Sequence, residues 1–214
     1  MNNSSSFGEL DLTKNRIDSD TTPEPTPSIH PFLDILRFIF IALLIVIPIR
    51  MFVAQPFIVS GASMEETFHS GDYLIVDQIS YRFHEPKRGD VVIFKYPLDP
   101  SKYFVKRIIG LPGETVTVEG DIVTVVNSNF PQGVVLHEEY INTMDKPNQV
   151  STTLQEDEYF VMGDNRDHSS DSRAWGVLDK RFITGRAYLR LFPPQQFDYL
   201  PGNTESESII IQAP

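Results

Sequence analysis

From Tyr73 to Phe192 the chain is written in short runs of β-branched and aromatic residues, each closed by a turn residue, and this pattern excludes most folds. Tyr73-Leu74-Ile75-Val76, Val91-Val92-Ile93-Phe94 and Phe104-Val105-Lys106-Arg107-Ile108-Ile109 each have strand length and strand composition. Thr115–Val118 and Ile122–Val125 flank Glu119-Gly120-Asp121, which reads as a three-residue hairpin turn. Further strands are expected at Glu158–Met162 and Ala187–Phe192, with corners at Gly71-Asp72, Gly89-Asp90 and Pro112-Gly113. No segment after residue 60 keeps helical periodicity beyond about two turns. The expectation is an all-β domain over residues 56–197, long enough to enclose a real core. No internal repeat and no glycine-rich phosphate loop interrupts it.

Before this domain lies the one strongly apolar run, FLDILRFIFIALLIVIPIRMFV, from Phe32 to Val53. Its uncharged centre is short for a membrane span, but Arg37 and Arg50 can extend to the headgroups and lengthen it. We therefore expect one transmembrane helix over residues 32–55, with Pro48 fraying its far end. A buried core helix is the alternative; a cleaved leader fits less well, because an acidic tail precedes the run. The Lys and Arg residues on either side do not set its orientation. Residues 1–31, with Pro23-Glu24-Pro25-Thr26-Pro27, are too polar to form a core and read as a disordered acidic tail. Residues 198–214 read as a second tail. The net charge of −11 argues against nucleic acid, which needs clustered Lys and Arg. The absence of cysteine excludes thiol catalysis, thiolate metal sites and disulfides.

Three patches could carry chemistry. Ser60-Gly61-Ala62-Ser63-Met64 is a small-residue turn that lets another backbone approach a hydroxyl. Lys106 lies in an apolar strand, on the same face as Phe104 and Ile108 by strict alternation. Desolvation there would lower its pKa and make a neutral amine available as a base toward a serine. A Lys-Arg dipeptide is, on its own, more often a solvated surface pair. The third patch, Gly163 to Arg173, is an ordered polar loop; Asp164, Asp167 and Asp171 lack the spacing of a calcium site. His168 with Asp171 offers a Ser-His-Asp alternative.

The order of these patches resembles the bacterial type I signal peptidases, membrane-bound proteases with a serine–lysine dyad. The likeness runs from about Phe52 to Phe192, through FIVSGASM, GDYLIV, RGDVVIFKYP, YFVKRIIGLPGE and GDNRDHSSDSRAWG. It implies a coiled antiparallel β-sheet catalytic domain behind one transmembrane helix, amino terminus inside and catalytic domain outside the plasma membrane. By the resemblance Ser63 is the nucleophile, Lys106 the general base, and Ser169 helps to orient the lysine. Asp171 and Arg173 match an ion pair that holds the catalytic strands. Val59 and Val105 line shallow pockets for the first and third substrate residues before the cut. Gly61 stands where some members place an oxyanion-hole serine, which leaves the Ser63 N–H as donor. Glu66 replaces the usual proline after Ser-Met and, close to Lys106, would raise its pKa. The implied substrates are signal peptides of exported preproteins, reached from the lipid bilayer. No cofactor, metal or obligate partner is implied. The alternative is an inactive anchored homologue that binds exported segments. A self-cleaving serine–lysine regulator would need a DNA-binding domain, which this amino terminus does not offer.

Overall fold

The computed structural model describes residues 31–48, 50, 54–65, 67–141, 149–204 and 210–211. Residues 1–30 of the expected amino-terminal tail, and Glu66, lie outside the described residues, while Pro31 belongs to a helix. Residues up to Ala42 and from Leu43 onward form two compact units.

Helix α1 covers Pro31–Pro48, 18 residues, with a proline suited to the first turn and Asp34 near the positive end of the helix dipole. Its run of Leu, Ile and Phe propagates the helix as far as Pro48, which has no N–H to give to the helical ladder. Strand β1, Ala54–Ile58, already occupies part of the span expected over 32–55. Among the described residues no helix is long and apolar enough to cross a membrane.

The remainder is mostly β-sheet. The strands are β2 (Tyr73–Asp77), β3 (Val91–Tyr96), β4 (Asp99–Gly110), β5 (Thr115–Glu119), β6 (Ile122–Val126), β7 (Val134–Leu136) and β8 (Gln149–Thr153). They continue as β9 (Glu158–Met162), β10 (Leu178–Asp179), β11 (Ile183–Phe192), β12 (Asp198–Tyr199) and β13 (Ile210–Ile211). A four-residue helix α2, Ser172–Trp175, is capped by Asp171, whose carboxylate accepts from Arg173 N–H. The larger sheet runs β1-β2-β11-β3-β4-β9-β10, with β12 beside β11; the smaller runs β13-β7-β6-β5-β8. All pairings are antiparallel. Where the sequence reads as a tail from Asp198, the chain instead adds β12, with Leu189 opposite Tyr199.

The continuous apolar text of β3 has a direct cause. Val91 and Ile93 face one core with Met64, Phe68, Leu74 and Val76, while Val92 and Phe94 face another with Ile108, Tyr159 and Val161. Both faces of the sheet are covered there, so polar alternation is lost. A third core, around Val116, Val118, Val123 and Val125, joins the small sheet to Ile109, Phe160 and Met162. At this junction Arg88 meets Glu114 at 2.6 and 2.8 Å, both buried, and its guanidinium also donates to the Ile109 carbonyl. Here Nη2 meets both carboxylate oxygens and Nη1 the carbonyl, which satisfies a charge that would otherwise be costly to bury.

One feature of register shapes the site. Strand β4 pairs with β3 from Tyr103 to Arg107, but with β9 only from Arg107 onward. Among the described residues the edge of β4 before Arg107 therefore has no strand on its β9 side, and a groove opens beside it.

Candidate active site

The chain from Val59 to Asp72 links β1 to β2 and carries the serines. Its base is closed by Val59 N–H to Asp72 C=O and Gly71 N–H to Val59 C=O, both at 2.9 Å. Two apolar anchors, Met64 and Phe68, are fully buried, and Phe68 N–H donates to the Met64 carbonyl at 2.8 Å. Each such side chain contributes about 1.5–3 kcal/mol by burial, so the turn is pinned from beneath. Gly61 takes φ +99, open to glycine and unfavourable for other residues. Ser63 is thereby lifted to the groove wall, and Asn165 N–H fixes its carbonyl at 3.1 Å.

Lys106 comes from β4 and is 3% exposed. Its Nζ lies 2.7 Å from Ser63 Oγ, 2.9 Å from the Val105 carbonyl and 5.4 Å from the centre of the Phe104 ring. Burial pushes the Lys106 amine down to about 8, and Arg173 pushes the same way, against the opposing pull of Asp171 and Asp164. While protonated, the ammonium donates to Ser63 Oγ. Once neutral, its lone pair can accept the Ser63 proton.

The polar loop braces this pair. Arg173 forks onto Asp171, Nε to Oδ1 at 2.8 Å and Nη2 to Oδ2 at 2.8 Å, and also donates to the Arg166 carbonyl at 2.7 Å. Gly163 N–H donates to Asp171 Oδ2 at 3.1 Å. Burial favours the neutral acid at Asp171, but the bonds from Arg173, Ser169 and Gly163 outweigh it and hold its pKa below the usual carboxylate value. The Ser169 hydroxyl thus lies near Asp171, although it meets no partner at full hydrogen-bond geometry among the described residues. It does not reach Lys106, whose two partners are Ser63 and Val105. Its packing is against Gly163: a Cβ at Gly163 would stand 2.3 Å from Ser169 Oγ and 2.4 Å from the Ser63 carbonyl oxygen.

Val59, Gly61, Ser63, Val105 and Lys106 all line one cavity of about 470 Å³. Leu74 and Ile93 form part of its wall, and Phe57 and Tyr103 meet across strands at 5.1 Å between ring centroids. His168 lines the same cavity, but the Asp171 carboxylate is occupied by Arg173 and Gly163, so no His168–Asp171 pair forms. The described residues contain no cluster of metal-ligating side chains.

Arg107 is the functional neighbour that sequence reasoning missed. Far from being a solvated partner of Lys106, it is 1% exposed and forks onto Asp164 at 2.8 and 2.6 Å. Thr67, in the serine turn, donates to the same carboxylate at 2.6 Å. The signal was alternation: Arg107 shares a strand face with Val105 and Ile109, and a buried guanidinium needs a carboxylate. A second buried fork joins Arg166 to Glu138, at 2.9 and 2.5 Å.

The family profile "Signal peptidase, peptidase S26" matches residues 32–192. A "Probable signal peptidase I-1" from Synechocystis sp. is 36% identical over 194 residues, covering 84% of this chain and 96% of the relative. A "Probable signal peptidase I-2" from the same organism is 34% identical, covering 94% and 91%. A solved signal peptidase I from Enterococcus faecalis is 30% identical and overlaps 48% of this chain and 97% of its own, with a TM-score of 0.41. A family match across most of the sheet that carries Ser63 and Lys106, together with relatives aligned over nearly their full length, leads to one conclusion: the chain belongs to the signal peptidase family, peptidase S26, and is a serine peptidase.

Proposed function

We propose that this protein is a membrane-anchored endopeptidase that removes signal peptides from exported preproteins, with Ser63 as nucleophile and Lys106 as general base. The observation that carries the reading is the 2.7 Å contact between a buried amine and a serine hydroxyl at a groove wall. Neutral Lys106 takes the Ser63 proton as Oγ attacks the scissile carbonyl. The Ser63 N–H, which no backbone carbonyl among the described residues accepts, is the oxyanion donor. Lys106 then passes its proton to the departing amine, and a water deprotonated by Lys106 opens the acyl-enzyme. The substrate lies extended along the unpaired edge of β4, as an added strand. Val59 and Val105 bound shallow subsites, with Leu74 and Ile93 nearby, which favours small side chains before the cut. Asp171 and Arg173 hold the loop, and Ser169 supports it by packing on Gly163. For the anchor, support comes from α1, whose apolar side chains from Phe32 to Ile47 are exposed. Such a surface calls for lipid, with the amino terminus inside and the catalytic domain outside.

The test is purified full-length protein in detergent with a model preprotein, product termini being read by mass spectrometry. Cleavage is expected at one bond after a small residue, and phenylalanine at that position should reduce the rate by about 100-fold or more. Cleavage at scattered bonds would overturn the assignment. His168→Ala should leave kcat within about threefold, because no carboxylate orients that ring.

Activity should rise with pH. With Lys106 at about 8, roughly a tenth of the enzyme holds a neutral amine at pH 7 and most does at pH 9. We expect kcat/KM to climb about tenfold per unit below pH 8 and then level off. A flat profile between pH 6 and 9 would exclude a lysine base.

A further inference from the structure

The family profile ends at Phe192, yet the chain returns to the site beyond it. After β12, Leu200 N–H donates to the Tyr188 carbonyl at 2.8 Å, and Asn203 N–H to the Leu200 carbonyl at 3.0 Å. Pro201 is buried. Gly202 then stands against the serine turn. A Cβ there would lie 2.4 Å from Thr67 Cγ2, 3.3 Å from Val91 Cγ2 and 3.4 Å from Arg107 Nη2, on a backbone with φ +71.

The same segment holds Arg107. Its Nη1 donates to the Gly202 carbonyl, to Thr204 Oγ1 at 3.1 Å and to the Gly89 carbonyl at 3.0 Å. Arg107 follows Lys106 in β4, and Thr67 lies in the turn of Ser63. One short segment thus touches both halves of the dyad's support, from the side opposite the Asp164 fork. The Thr67 carbonyl is separately held by Arg190 at 2.9 Å. Arg190 limits how far Thr67 can retreat from anything that pushes at Gly202.

We propose that Pro201–Thr204 is a positioning clamp that keeps the Ser63 turn in register with Lys106, so that turnover depends on a segment outside the family-matched region. The proposal rests on the Ser63–Lys106 reading. A turn displaced by even 1 Å separates hydroxyl from amine and lowers the chemical step, with little effect on substrate binding.

The test compares Gly202→Ala with Gly120→Ala in the full-length protein. Gly120 also has positive φ, +58, but open space around it, so it controls for backbone strain alone. Gly202→Ala should lower kcat tenfold or more with KM within twofold, measured well below its thermal midpoint so that the folded enzyme is compared. Gly120→Ala should keep full kcat. Adding Thr67→Ser to Gly202→Ala removes the methyl that the new Cβ would strike while keeping the hydroxyl for Asp164, and should restore most of the lost kcat. Unchanged kcat in Gly202→Ala, an equal loss in Gly120→Ala, or a loss that Thr67→Ser does not relieve would overturn the clamp. Ser63→Ala is assayed alongside. Activity in that variant would remove the dyad reading itself, whereas a dead Ser63→Ala with normal Gly202→Ala removes only the clamp.

Discussion

Replacing Lys106 with methionine or alanine is expected to lower kcat/KM on a model preprotein by at least about 1,000-fold. Ser63→Ala should cost as much, and the double variant should be no worse than either single one. Groups that act as a unit lose their whole contribution when one is removed. A double variant much slower than both singles would mean that the two residues act independently. The loss should be chemical, not structural. Burial holds the Lys106 pKa below its ordinary value, so the unfolded chain binds its proton more tightly. The linkage then runs in one direction: protonated Lys106 opposes folding at neutral pH, and this cost fades as pH rises from about 8 through the unfolded value of 10.5. Lys106→Met lacks that charge and should melt no lower than wild type at pH 7. Inactivity combined with unchanged or raised thermal stability is therefore the diagnostic result.

Gly163→Ala should also be damaging, by a different route. The added methyl would sit 2.4 Å from the Ser63 carbonyl oxygen and 2.6 Å from Ser169 Cβ. Neither neighbour is the free end of a long side chain, so the backbone of the serine turn must move. A shift near 1 Å corresponds to a loss of about 100-fold in rate. Ser169→Gly added to Gly163→Ala removes one clash but not that with the Ser63 carbonyl, so activity should stay low. Recovery in the double variant would place the constraint on Ser169 alone. Full activity in Gly163→Ala would show that the loop does not set the position of Ser63.

Much of the sheet was legible because its strands have short, strongly patterned text. The Tyr73, Val91, Thr115 and Ile122 strands begin where expected, and Glu158–Met162 matches at both ends. β4 and β11 run longer than their apolar runs, because their polar ends still pair with neighbours: Tyr103 lies opposite Lys95, and Gly185 opposite Ile93. β7, β8 and β12 escaped notice for a related reason. Each is two to five residues long, and Gln149–Thr153 is polar text made a strand by pairing with β5. Sequence alone could bring Ser63 and Lys106 together only through the resemblance, since nothing local relates one to the other. The buried arginines were hidden in another way. Arg88, Arg107 and Arg166 look like surface charge until their carboxylates are located in space. Ser169 is a further case: its place beside Gly163 and Asp171 is visible only in space.

The groups of this site meet across long stretches of chain. Ser63 and Lys106 are 43 positions apart, Arg107 and Asp164 57, and Arg107 and Thr204 97. Contacts of such span form late, because the loop entropy must be overcome first. Until then Lys106 is a hydrated ammonium with an ordinary lysine pKa, and Ser63 is an inert alcohol. A half-made or half-folded copy is therefore not yet a protease.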